Sequence, residues 1–117
     1  WTAVKNSPAN KNNLGLMLAC CKAEIEISQS KHVFPAPDCF KRVASLLRKQ
    51  KDYARELGIV ELYWQLCDSV FEEVKRRDGL RAQLMAQHSA LKAGFKKRYD
   101  KAQLLLDLKR ENTALVP

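Results

Sequence analysis

The side chains of this 117-residue chain best suited to catalysis or metal binding are two histidines, His32 and His88, and four cysteines, Cys20, Cys21, Cys39 and Cys67. None of the cysteines has the C-x2-C spacing that closes a tetrahedral zinc site, and neighbours such as Cys20 and Cys21 point about 100° apart on a helix. At least three of the four are expected to be small buried apolar residues in a reducing compartment. Cys39, near a helix start, is the one whose thiolate a helix dipole would favour. His32 lies beside Val33 and Phe34 in a proline-bounded loop, and His88 falls on or beside the apolar stripe of the last helix. For both, a packed or half-exposed role is the expectation. Glu24 with Glu26 and Glu72 with Glu73 are too close in sequence to face each other on a helix, so neither pair makes a shared acid–base or metal site. No Gly-rich phosphate loop, G-x-S-x-G turn, H-E-x-x-H motif or visible Ser, His and Asp set occurs. The expectation is a chain without catalytic, cofactor-binding or metal-binding residues.

Positive charge is the stronger chemical signal. The net charge is +8, and it is uneven: residues 1–39 carry +1 and residues 40–117 carry +7. The basic residues form three clusters. One comprises Lys41, Arg42, Arg48, Lys49, Lys51 and Arg55. A second comprises Lys75, Arg76, Arg77 and Arg81, and the third Lys92, Lys96, Lys97, Arg98, Lys101, Lys109 and Arg110. Such a surface steers an acidic partner towards itself. It could also track phosphates in a salt-dependent, sequence-blind way, although Asp100, Asp107 and Glu111 dilute the last cluster.

The elements that must position these charges are helical. Gly and Pro number only four each, and Ala, Leu, Lys, Arg, Glu and Gln dominate from Phe40 onward. Hydrophobic residues at 46% and charged residues at 29% are ordinary for a globular domain, and the length suits one core. A polar arm is expected over residues 1–13, loosely held or packed by Trp1 alone, then a single all-helical domain over 14–110 and a tail over 111–117. The first helix starts near Asn13 and runs to about Gln29. Pro35 and Pro37 end the connection that follows, and Asp38 is placed to cap a second helix, Cys39 to about Gln50. A third, central helix spans Asp52 to about Arg77. Gly58 weakens it by about 1 kcal/mol unless a neighbouring helix crosses closely there. Asp78 is expected to cap a long last helix, Gly79 to Arg110, with Leu80, Leu84, Leu91, Phe95, Tyr99, Ala102 and Leu106 facing inward. At ~1.5 Å per residue that helix reaches ~45 Å, so it either breaks near Gly94 or overhangs. The overall expectation is an all-α fold of four to five helices: an antiparallel hairpin plus a long C-terminal helix.

The segment "CFKRVASLLRKQKDYARELGIVELYW" resembles one unit of a tetratricopeptide repeat, a helical hairpin of about 34 residues. Phe40, Val43, Ala44 and Leu47 fall at the repeat's aromatic, leucine, small and tyrosine positions, and Arg48 to Tyr53 at its turn. Glu56 and Tyr63 stand where the repeat has small residues, and Asp68 where it has proline. The resemblance covers about a third of the chain. It implies a protein-interaction scaffold and no catalysis.

Charge and resemblance together lead to a non-enzymatic module. Arg48, Lys49, Lys51, Arg55, Lys92, Lys96, Lys97 and Lys101 are expected to receive an acidic or extended protein partner. The alternatives are a nucleic-acid-binding accessory domain using the same charges, or a homodimer through the C-terminal helix with Leu84, Leu91, Phe95 and Leu105 at the seam. No membrane span or signal peptide is visible, so a cytoplasmic protein is expected. The first residue is Trp rather than Met, and the chain is expected to be a piece of something longer.

Overall fold

Five α-helices and no strand make up the described part of the computed structural model, which covers residues 13–115, with side chains to residue 112. The expected arm thus lies outside the described residues except for Asn13. The Asn13 side chain opens α1 (Leu14–Lys31) by accepting from the Leu16 backbone N–H at 3.0 Å, satisfying one orphan donor of the first turn. His32, at φ 53°, ends it in the left-handed conformation.

Helix α2 (Asp38–Lys49) follows the prolines, but Asp38 does not cap it. Pro37 occupies the capping position with helical dihedrals and no side-chain bond, and Asp38 is already helical, an acidic residue at the positive end of the dipole. The chain then reverses at Gln50, Lys51 and Asp52. The Lys51 N–H bonds to Arg48 O and the Asp52 N–H to Leu47 O, both at 2.9 Å, with Lys51 at φ 58°. These two bonds around a left-handed residue are the Schellman closure of a helix end, made with lysine where glycine is usual. Asp52 caps α3 (Tyr53–Asp78) through its side chain, and α3 packs back along α2.

The sequence places Asp78 as the cap of the next helix, yet it is the last residue of α3. Gly79 terminates that helix at φ 83°, and residues 79–81 form a short link with Leu80 57% exposed rather than inward. The long C-terminal helix does break at Gly94, into α4 (Ala82–Ala93) and α5 (Lys96–Leu115). α5 runs past the expected limit at Arg110. The break turns Phe95 into the core.

That core is built on Phe40, Tyr63 and Phe95, each at 0% exposure. Their rings touch in series, Phe40 to Tyr63 at 4.9 Å and Tyr63 to Phe95 at 4.6 Å between centroids, joining α2, α3 and the α4–α5 corner. Met17, Cys20 and Cys21 from α1 and Val43, Leu46, Leu47, Val60, Leu66 and Cys67 from the hairpin fill the space around them. The Tyr63 hydroxyl donates to Pro35 O at 2.7 Å, which ties the proline connection to the centre. Because Phe95 is consumed by this core, it is not available to a dimer seam.

Candidate functional site

Glu56 organises the basic surface from beneath. It is wholly buried on α3 in a helix otherwise apolar on that side, and a buried carboxylate must be compensated. Arg48 Nε donates to its Oε1 at 3.0 Å while Nη2 lies 2.8 Å from Oε2, and Arg98 Nη1 on α5 lies 3.6 Å from the same oxygen. The Arg48 Nη2 group also donates to the Arg98 backbone carbonyl at 2.9 Å. One guanidinium thereby fastens α2, α3 and α5 together. The charge of Glu56 within the apolar pattern of the central helix is the sequence signal for this. Its two partners lie 8 residues before it and 42 after it, too far apart to be paired without the fold.

Where Arg48 is turned inward, its neighbours are not. Lys49, Lys51, Lys97 and Lys101 are exposed, and among the described residues none of their ammonium groups meets a carboxylate. Lys109 Nζ donates to Lys51 O at 3.1 Å and sits 5.9 Å from the Tyr53 ring centroid, so the far half of α5 lies against the hairpin tip. Basic clusters 50 residues apart in sequence are thus brought onto one end of the bundle. Arg55 lies 3.6 Å from the half-buried Asp52, and the exposed Lys96 is 3.0 Å from the exposed Asp100; both are local pairs at the surface and contribute little.

Lys92 belongs to a different place. Its Nζ is 2.9 Å from Asp68 Oδ1, which also lies 2.8 Å from His88 Nε2, and its backbone carbonyl accepts from Trp64 Nε1 at 3.1 Å. His88 is stacked on Phe71 at 4.3 Å and on Phe34 at 6.2 Å. Partial burial pushes the Asp68 carboxyl up, but the hydrogen bonds and charges of Lys92 and His88 outweigh it and hold the group below the ordinary carboxylate value. Lys92 therefore anchors α4 to α3.

All four cysteines are buried, and none is joined to another in a disulfide. Burial, with neighbouring thiols adding to it, pushes Cys21 up to about 12, and burial pushes Cys67 up to about 11, so both stay neutral thiols at physiological pH. Between α1 and α3 a cleft of about 280 Å³ is lined by His32, Ser28, Ser69 and Glu73, among others. The Glu73 carboxylate is taken by Arg76 at 2.6 Å, and His32 bonds to none of the three. Among the described residues no group of three or more His, Cys, Asp or Glu is placed to hold a metal ion, and no helix is long and apolar enough to cross a membrane.

Compared with known proteins, the chain matches no family model, no curated protein and no solved structure.

Proposed function

We propose that this chain is a non-enzymatic interaction module, repeat-like in its α2–α3 hairpin, whose basic end receives an acidic, extended segment of a protein partner. The observation that carries the reading is the Lys109 to Lys51 contact, which sets α5 beside the hairpin tip. Lys97 and Lys101 lie on the same helix as Lys109, about three and two turns before it, and in this reading they extend the surface begun by Lys49 and Lys51. Cations without internal carboxylates keep their full potential for a partner, whereas Arg48 and Lys92 spend theirs on holding helices together.

The test is fluorescence anisotropy of a labelled glutamate-rich peptide against the full chain. Binding that weakens steeply with salt, and that is lost when Lys49, Lys51, Lys97 and Lys101 become Glu while the thermal midpoint stays put, supports the reading. Unchanged binding by that quadruple variant would count against this surface. A duplex oligonucleotide that binds more tightly than the peptide would favour the nucleic-acid alternative.

A further inference from the structure

On the side of the hairpin that faces the start of α5, Lys41, Arg42 and Ser45 of α2, with Arg98 of α5 and Asp38, line one cleft of about 310 Å³. Lys41 Nζ is held 5.6 Å from the Phe95 ring centroid and lies 3.6 Å from where a Cβ on Gly94 would stand, so the ammonium is fixed over the α4–α5 corner. Among the described residues neither Lys41 nor Arg42 has a carboxylate partner. Arg98 has one only by sharing: Glu56 lies 2.8 Å from Arg48 and 3.6 Å from Arg98, and a single negative charge cannot neutralise both.

A charge count narrows what would fill the cleft. Among the lining side chains Lys41, Arg42 and Arg98 stand against Asp38, a formal excess of two positive charges around one cleft, and the Glu56 carboxylate behind Arg98 is held more closely by Arg48. A carboxylate or a phosphodiester brings one negative charge. A phosphate monoester brings about −1.5 to −2 at neutral pH and three acceptor oxygens. The donors fit that shape: guanidinium forks for paired oxygens, an ammonium as a point charge, and a serine hydroxyl. Lys49, two helical turns beyond Arg42, and Lys97, beside Arg98, are placed to meet acidic residues on either side of the phosphorylated one.

We propose that the α2–α5 cleft binds a phosphate monoester carried by the protein partner, a phosphorylated serine or threonine within an acidic segment, held by Lys41, Arg42 and Arg98 with Ser45 donating a hydroxyl hydrogen bond. This rests on the reading that the basic end takes an acidic protein segment, and it assigns one group of that segment to one place.

The experiment compares three acidic peptides that differ only at their central residue, phosphoserine, glutamate or serine, with a single-stranded oligonucleotide of similar charge, all against the full chain. The phosphoserine peptide should bind about tenfold more tightly than the glutamate peptide, a difference of about 1.4 kcal/mol. Lys41→Ala with Arg42→Ala should erase that difference while leaving the glutamate peptide nearly unchanged, and Ser45→Glu, which places a carboxylate in the cleft, should do the same. Backbone amide shifts on adding the phosphopeptide should concentrate at Ser45, Gly94 and Arg98. Equal affinity for the phosphoserine and glutamate peptides overturns the cleft and leaves the basic surface standing. No binding of any peptide overturns both, and so does an oligonucleotide that outbinds them all.

Discussion

Helices α2 and α4 have the same length, 12 residues, yet α2 buries six of them and α4 buries none. α2 has its aromatic residue in the central stack and its apolar stripe against α1 and α3. α4 is held by half-exposed leucines, by the ring of His88 between two phenylalanines, and by bonds from His88 and Lys92 to one aspartate. Apolar burial is worth roughly 25 cal/mol per Å² and does not depend on pH, whereas a partly exposed polar network is worth little per contact and can be titrated away. The contrast teaches that the hairpin with α1 and the Phe95 corner form the stable unit. α4 is an adaptable span between two anchored ends, and it opens at lower free energy than the rest.

The largest break in that comparison should come from Phe95→Ala, which removes the α4–α5 end of the aromatic stack, a side chain at 0% exposure. A loss of about 3–5 kcal/mol in chemical denaturation is expected, with α4 and the hairpin unfolding together. Arg48→Met should cost about 3 kcal/mol, because it leaves Glu56 buried with only the more distant Arg98, while Lys49→Met one residue away should change stability by less than about 0.5 kcal/mol. Equal effects at the two positions would show that Arg48 is not an internal brace.

Asp68→Asn should cost about 1 kcal/mol and act locally: amide exchange should quicken across residues 82–93 and stay unchanged at Val43, Ala44 and Leu47. The same network sets a pH dependence. The Asp68 carboxyl is held below its ordinary value of 3.8, so its contribution is present above that pH and is lost as pH falls through the depressed folded value. Protection of α4 should therefore fall first on acidification below about pH 4, and Asp68→Asn should remove that early loss. The smallest effect is a gain. Gly58 is exposed, and a Cβ there would meet nothing within 4 Å, so Gly58→Ala should stabilise the chain by up to about 1 kcal/mol, read as a rise in the thermal midpoint.

Much of this architecture was legible before any coordinates, for reasons that are local. The helix start near Asn13, the prolines at 35 and 37, the reversal at Lys51 and, as one of two outcomes, the break near Gly94 all follow from what single residues allow the backbone to do. The errors are of a different kind. Asp38 and Asp78 are both good capping residues, yet each lies inside a helix, because the dihedral of the preceding or following residue decides where the first turn begins. Leu80 fits an inward stripe only if the last helix starts at Gly79, which it does not. The eight basic positions divided according to contacts across many residues. Arg48 and Lys92 found carboxylates on α3, while Lys49, Lys51, Lys97 and Lys101 did not. The three places where the hairpin departs from the repeat pattern, Glu56, Tyr63 and Asp68, proved to be where it is joined to α5, to the proline connection and to α4. Residues that look anomalous against a local pattern mark the points at which distant parts of the chain attach.

One detail of the reversal bears on how a partner would experience it. At Lys51 both main-chain polar groups are already occupied, the N–H by Arg48 and the carbonyl by Lys109, and the left-handed dihedral costs on the order of 1 kcal/mol that glycine would avoid. The apex is thus a rigid pedestal whose one unspent donor is the terminal ammonium. Were the proposed partner to engage that ammonium, only the rotamers of the Lys51 side chain would remain to be frozen, and the entropic toll at this corner would be confined to a few torsions.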